Sequence, residues 1–155
     1  MVSLIDSPPC ILKAIDICAD ILDDDTTYND NTLLLDTIVL KKGILVELIG
    51  GNYSIEDGLV NGSDGLFMHF TSRDIDIVWI DFGNPSIGEF QQKSMDQLYT
   101  DAIAKDWTPI PRISRKILIH KKPSIRQQFP VQVACARTIH RSQGLTMDRL
   151  AFDPI

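Results

Sequence analysis

The 155-residue sequence contains no run of eighteen apolar residues, so no apolar helix long enough for a bilayer is expected. Its start lacks a basic segment followed by an apolar core, which predicts no secretory signal. Of its three cysteines, Cys10, Cys18 and Cys135, no two have C-x-x-C spacing. An odd count without metal spacing predicts a reducing compartment and buried thiols. His69, His120 and His140 lie far apart, so no zinc pattern is present and no metal ligands are expected. There is no Gly-Lys dipeptide anywhere, hence no Gly-x-x-x-x-Gly-Lys-Ser/Thr loop to cradle a triphosphate. There is also no Asp-Glu pair of the kind that places magnesium and an attacking water. No internal repeat and no low-complexity tract is found.

What is there begins with charge. A hydrophobic content of 44% is ordinary for a soluble domain, and the net charge of −6 argues against a nucleic acid partner. That average hides a division. Residues 1–36 carry eight Asp against Lys13, and residues 111–149 carry nine Lys and Arg against Asp148. Asymmetry of this kind fits a nucleic acid surface, and equally two surfaces of opposite sign facing each other.

The pattern along the chain is mostly that of strands. Cys10–Leu22 permits a helix, with Ile11, Ile15, Cys18 and Leu22 at helical spacing, or an extended start. Leu35–Gly51 reads as strand, turn, strand, with the turn at Lys42-Gly43. Asn61-Gly62 and Asp64-Gly65 are turn signals. Leu66–Phe70 alternates, and Asp74–Phe82 alternates with Ile75, Ile77 and Trp79 on one face. Residues 94–107 suggest a short helix, and Trp107–Pro111 an extended segment, because each proline pushes its predecessor out of the helical region. Arg115–Lys122 reads as one strand. Gln128–Arg137 reads as a strand buried on both faces, as in a parallel sheet. The expected fold is α/β with a large all-β part. Its expected divisions are an acidic segment at 1–36, a β-rich region with a barrel-like insert at 37–125, and a strand-loop-strand at 126–155.

The loop after the last long strand, "RTIHRSQGLT" at Arg137–Thr146, concentrates hydrogen-bonding side chains. A loop leaving a strand and entering a helical turn offers free backbone N–H groups, which suit phosphate. Thr138 and Ser142 add hydroxyl donors, His140 a donor or a stacking ring, and Arg141 a charge. Gly144 permits close backbone approach. Any one of these residues alone fits a capped helix start; the combination points to anion binding.

The stretch "RQQFPVQVACARTIHRSQGLTMDRL" resembles the fifth helicase motif of superfamily-one DNA helicases, above all the petite-integration-frequency (PIF) family and its Helitron relatives. The matching residues are Arg126, Gln128, Phe129, Pro130, Ala134, Ala136, Thr138, Ile139, His140, Ser142, Gln143, Gly144 and Thr146, with Arg141 where Lys is usual. Upstream, "LKKGILVELIGG" and "DGLVNGSDGLF" resemble the family's strand pair and its Asn-Gly turn, which makes Asn61 and Gly62 candidate loop residues. The family's Arg-Asn is represented by Gly50-Gly51-Asn52, without the Arg.

The resemblance implies a partial RecA-like (P-loop NTPase) second helicase domain carrying an inserted small Src-homology-3-type β-barrel over much of 60–122. It implies that Thr138, His140, Arg141 and Ser142 contact DNA, and that Gln143 and Gly144 couple nucleotide state to that grip. The implied partners are single-stranded or forked DNA, with no membrane, and an N-terminal RecA-like domain that this sequence does not contain. ATP and Mg2+ are implied for the complete parent and none for this stretch alone, which holds no catalytic residues. The family's work in DNA repair, recombination and telomere maintenance implies an intracellular place, in the nucleus or mitochondrion. The expectation is a helicase fragment unable to hydrolyse ATP alone. Two other readings stand beside it. One is a passive single-strand-binding remnant using the basic 111–149 stretch, with Trp107, Phe129 and His140 as stacking rings. The other is a Tudor-like methyl-residue reader, from "VWIDFGNPSIG" with Trp79, Phe82, Phe90 and Tyr99 as cage rings, which burial of Trp79 would count against.

Overall fold

The computed structural model of the chain describes residues 7–18, 34–120 and 122–134. Among the described residues ten strands and one short α-helix follow one another: β1 Cys10–Lys13, β2 Ile15–Cys18, β3 Thr37–Leu40, β4 Leu45–Leu48, β5 Asp64–Ser72, β6 Asp76–Asp81, α1 Glu89–Ser94, β7 Thr108–Pro111, β8 Ile113–Ile119, β9 Lys122–Gln128 and β10 Val131–Val133. They form a five-stranded sheet in the order β10-β4-β5-β6-β7, a three-stranded sheet β2-β9-β8 and the pair β1-β3. Every pairing among these strands is antiparallel.

The open choice at Cys10–Leu22 resolves as extended backbone over the described part, where β-branched Ile residues favour strands. The turn at Lys42-Gly43 is present: Gly43 has φ 82° and Ile44 N donates to Lys41 O at 3.0 Å. Its two strands do not form a hairpin, however. β3 pairs with β1, while β4 pairs with β5 and β10. Asn61-Gly62 is a turn with Gly62 at φ 91°. Asp64-Gly65 is not; both lie in β5. A Cβ on Gly65 would sit 2.7 Å from both Asp81 O and Ile80 Cγ2, so that glycine is there for close approach of β6.

β5 alternates as expected until an irregularity between Phe67 and His69 shifts its register against β6. β6 does not alternate in burial. Ile77, Val78, Trp79 and Ile80 are all within 1% of full burial, whereas Ile75 is exposed. The reason is a layer on each side. Val78 and Ile80 join the main core with Leu12, Ile38, Leu40, Val46, Leu48, Phe67, Ile110, Phe129 and Val131, so β1-β3 packs on the five-stranded sheet. Ile77 and Trp79 face Ile103, with Met95, Leu98, Tyr99 and Trp107 around them.

The helix expected in 94–107 lies earlier, at Glu89–Ser94, followed by a 3₁₀ turn at Asp96–Leu98 and irregular chain that covers Trp79. β7 carries Pro109 and Pro111 opposite Trp79 and Ile77, and it is the edge of its sheet, where a missing N–H costs no ladder bond. The single strand read at Arg115–Lys122 is two. The chain turns at His120, which has φ 49°, and β9 returns along β8. The parallel strand read at Gln128–Arg137 is likewise divided. Gln128 ends β9, and β10 runs antiparallel to β4. Cys10 is half-buried with its thiol pushed up by burial, but Cys18 is exposed, contrary to the expectation of buried thiols; Cys135 lies outside the described residues. Among the described residues no helix is long and apolar enough to cross a membrane.

Candidate nucleic-acid interface

The path into the polar loop is built by residues 126–134. β9 belongs to the three-stranded sheet and β10 to the five-stranded one, with only Phe129 and Pro130 between them. That corner is held on every side. Phe129 is fully buried, 6.0 Å edge-on from Phe70. Pro130 O accepts from Ile49 N at 2.8 Å, and Ala134 N donates to Leu45 O at 2.9 Å. Gln132 donates to buried Glu47 across the β10-β4 pair.

Arg126 opens the stretch as a fork. Its Nε and Nη2 each reach an Asp16 carboxylate oxygen at 2.8 Å, and Nη1 donates to Leu34 O at 3.2 Å. The guanidinium holds the Asp16 carboxyl below its ordinary range, and the carboxylate in turn raises Arg126. Arg112 donates to Asp76 Oδ2 at 3.1 Å, and Arg115 Nη2 to Gly50 O at 3.2 Å. Three of the nine basic residues of 111–149 are thus used to join parts of the protein, and for Asp16–Arg126 the acidic and basic segments do face each other.

Of the predicted site residues, Thr138, His140, Arg141, Ser142, Gln143 and Gly144 lie outside the described residues. Asn61 and Gly62 are exposed; Asn61 N is held by Asn52 Oδ1 at 3.1 Å and Gly62 N by Leu48 O at 2.8 Å. Asn52 thus has a part in this turn without the family's arginine. The register puts the turn at the Leu48 end of β4, whereas Ala134 leaves at the Leu45 end. The structure therefore does not bring Asn61 and Gly62 to the point from which the chain departs.

Among the described rings proposed for stacking or a cage, most are engaged within the protein. Trp79 is fully buried, donates Nε1–H to Thr71 Oγ1 at 3.0 Å, and meets Tyr99 edge-on at 4.9 Å. The Tyr99 hydroxyl, pushed up to about 12 by burial and then by Asp96 and Asp106, donates to Trp107 O. Phe82 packs on the other core, and Phe90 is 74% exposed. Trp79 is thus buried and Phe82 lies on a different core from Trp79 and Tyr99, which counts against a methyl-residue cage. What sequence reading missed is Gln128. It sits fully buried in the corner with both ends of its amide engaged, and only its place in the Gln-Phe-Pro match marked it.

No family model matches the chain, and no curated protein matches it. Solved structures do. Over 92% of this chain and 33% of its own, the crystal structure of Pif1 helicase from Candida albicans superposes with a TM-score of 0.56 at 21% identity. The fold is that of a Pif1 helicase segment. A structure of two coordinating Pif1 helicases unwinding forked double-stranded DNA matches with a TM-score of 0.55 at 18% identity, over 94% of this chain and 27% of that one. Pif1 helicase from Bacteroides in complex with ADP-AlF3 and single-stranded DNA matches with a TM-score of 0.50 at 17% identity, over 90% and 27%. The chain spans no more than a third of the Pif1 chains it matches.

The sequence has no phosphate loop, and among the described residues no group of three His, Cys, Asp or Glu could hold a metal ion.

Proposed function

We propose that the chain is part of an ATP-dependent DNA helicase of the PIF type. In this reading it contributes to the second RecA-like domain and its barrel-like insert, and its role is to grip single-stranded DNA and couple that grip to nucleotide state. The observation that carries the reading is the presence of two features together. Residues 126–146 follow the family's fifth motif, and the described chain has the fold of a Pif1 helicase segment. The buried corner at Phe129-Pro130 supports it further, because a strand so tightly held gives the loop after it a rigid base.

In that loop Thr138, Ser142 and Arg141 are donors for backbone phosphates, and His140 is a donor or stacking partner. Gln143 and Gly144 lie on the nucleotide side. One loop touching both ligands makes DNA affinity depend on the nucleotide, and linkage makes the dependence reciprocal. ATP and Mg2+ then belong to groups the parent supplies outside this sequence, and this stretch alone hydrolyses no ATP. The parent's expected partner is single-stranded or forked DNA, the kinds of DNA named with the Pif1 structures the chain resembles.

The test uses a complete parent helicase containing this segment. Thr138→Ala and His140→Ala should each lower single-strand affinity and unwinding by about tenfold, the loss of one or two good hydrogen bonds. The thermal midpoint should stay within a degree or two. Unwinding at the parent's rate in both variants would remove the assignment.

A further inference from the structure

Two aromatic rings stand at the rim of the smaller core. Tyr99 and Trp107 lie in the irregular chain that covers Trp79 and Ile77, and the Tyr99 hydroxyl donates to Trp107 O. Both residues are half-buried. Their inner sides meet the core, Tyr99 edge-on to Trp79 at 4.9 Å. Over each ring lies an exposed lysine. Lys42 Nζ is 5.9 Å from the centre of the Trp107 ring, and Lys105 Nζ is 4.6 Å from that of Tyr99. The fold brings Lys42 there from far along the chain. Gly43 N donates to Phe67 O, Phe67 pairs with Ile80 and Ile80 with Thr108, so the Lys42-Gly43 turn comes to rest beside the start of β7. Next to Tyr99, an open hollow of about 400 Å³ is lined by Gln92, Lys93, Asp96, Tyr99 and Lys105.

Aliphatic side chains would close a core as well. Here two aromatic planes close it, and what lies over them is long and flexible, so a flat ligand displaces it easily. The ligands that suit such faces are few. A second cation, such as a methylated lysine, is repelled by the ammonium group already over each ring. A planar uncharged base is not; it stacks on the ring while the lysine moves to its edge. Charge adds little to this contact. Lys105 is paired with Asp96 at 3.0 Å and Lys93 with Glu89, and Asp101 and Asp106 belong to the same loop. The site therefore carries no excess of positive charge.

We propose that Trp107 and Tyr99 form a stacking site for the bases of single-stranded nucleic acid, held by ring contact rather than by phosphate charge. The site takes its ligand from the helicase reading above, on which it rests to that extent, but it shares no residue with the loop at 137–146.

The sequence has two tryptophans, and Trp79 is fully buried, so quenching by an added strand reports Trp107. The full chain is titrated at low salt with an oligodeoxyadenylate and with a strand of equal length that lacks bases. Binding is read from the anisotropy of labelled strands, and tryptophan emission with unlabelled ones. The oligodeoxyadenylate should quench emission as it binds, and the abasic strand should bind without quenching. Trp107→Leu should weaken oligodeoxyadenylate binding by about tenfold, the worth of one stacked base. It should leave the abasic strand's affinity, and the salt dependence of binding, unchanged. Lys42→Ala, a surface change, should leave affinity nearly as it was. Oligodeoxyadenylate binding without quenching overturns the stacking site and leaves the helicase reading standing. Equal quenching by the abasic strand, or a loss in Lys42→Ala as large as in Trp107→Leu, means that phosphate is held there instead and overturns it too. So does quenching by a trimethyl-lysine peptide but not by the oligodeoxyadenylate. A chain that binds neither strand removes the DNA reading and this site together. The wild-type titrations need no variant, so they decide the matter even if Trp107→Leu fails to fold.

Discussion

At the scale of single residues, Asp16 and Arg126 show how a charge can be misread. The sequence offers Arg126 as one of a run of cations available to phosphate. In the fold its guanidinium is turned inward, with both ends of the fork on one carboxylate and the remaining nitrogen on a backbone carbonyl. About a third of the Asp16 side chain stays in water, at 34% exposure, so solvent screening limits the pair to about 1 kcal/mol. Asp16→Asn should lower stability by that amount near neutral pH. The sign with pH follows from the depressed Asp16 carboxyl. A group held below its unfolded value contributes fully above that value, about 4, and loses the contribution as pH falls through the folded one. Urea unfolding of both proteins should therefore show a gap at about pH 7 that narrows towards about pH 3. A gap constant with pH would assign the loss to packing.

At the scale of elements, α1 is six residues long, too short to be stable alone, and its N-cap is Gly88, which has no side chain to offer. The cap comes from far away. Buried Asp57 accepts Phe90 N on one oxygen and Gln91 N on the other, both at 2.9 Å, and its carbonyl accepts Gly88 N at 2.8 Å. A negative charge at a helix start also meets the helix dipole favourably. Asp57→Ala should cost about 2 kcal/mol, the loss of two hydrogen bonds to a charged group partly recovered by water. Exchange should rise first at Phe90 and Gln91, which nuclear magnetic resonance would read; protection kept at both amides would mean the helix is held by packing instead. This cap also explains a misplaced element. The sequence suggests a short helix at 94–107, and Met95, Leu98, Tyr99 and Ile103 there do stand at helical intervals. Those side chains are spaced instead by the surface of Trp79 and Ile77 that they cover, while the true helix starts where a distant carboxylate satisfies its amides. The strands were more legible. Turn chemistry located Gly43 and Gly62 correctly, but which strand pairs with which depends on layers that no local pattern encodes, and so β3 and β4 part company after a correctly placed turn.

At the scale of the whole molecule, the fold shared with Pif1 helicases and the Gln-Phe-Pro corner were legible because a long motif carried them. The residues proposed to touch DNA rest on that motif alone. Charge was the poorer guide. Of the nine basic residues in 111–149, Arg112, Arg115 and Arg126 each bond a group of the protein itself, Arg115 from the surface, so phosphate contacts from this stretch should number six or fewer. That number limits a measurable quantity. Each phosphate neutralised on a single strand contributes about −0.7 to the slope of log affinity against log salt. Six give a slope no steeper than about −4, whereas nine would allow about −6. Titration of an oligothymidylate from low to moderate salt should therefore give a negative slope of about −4 or shallower. A steeper slope would require phosphate contacts elsewhere, with exposed Lys41 and Lys42 the first to replace. A slope near zero would mean that phosphates are not what the chain holds, and would remove Arg141 from the interface together with the rest of the basic stretch.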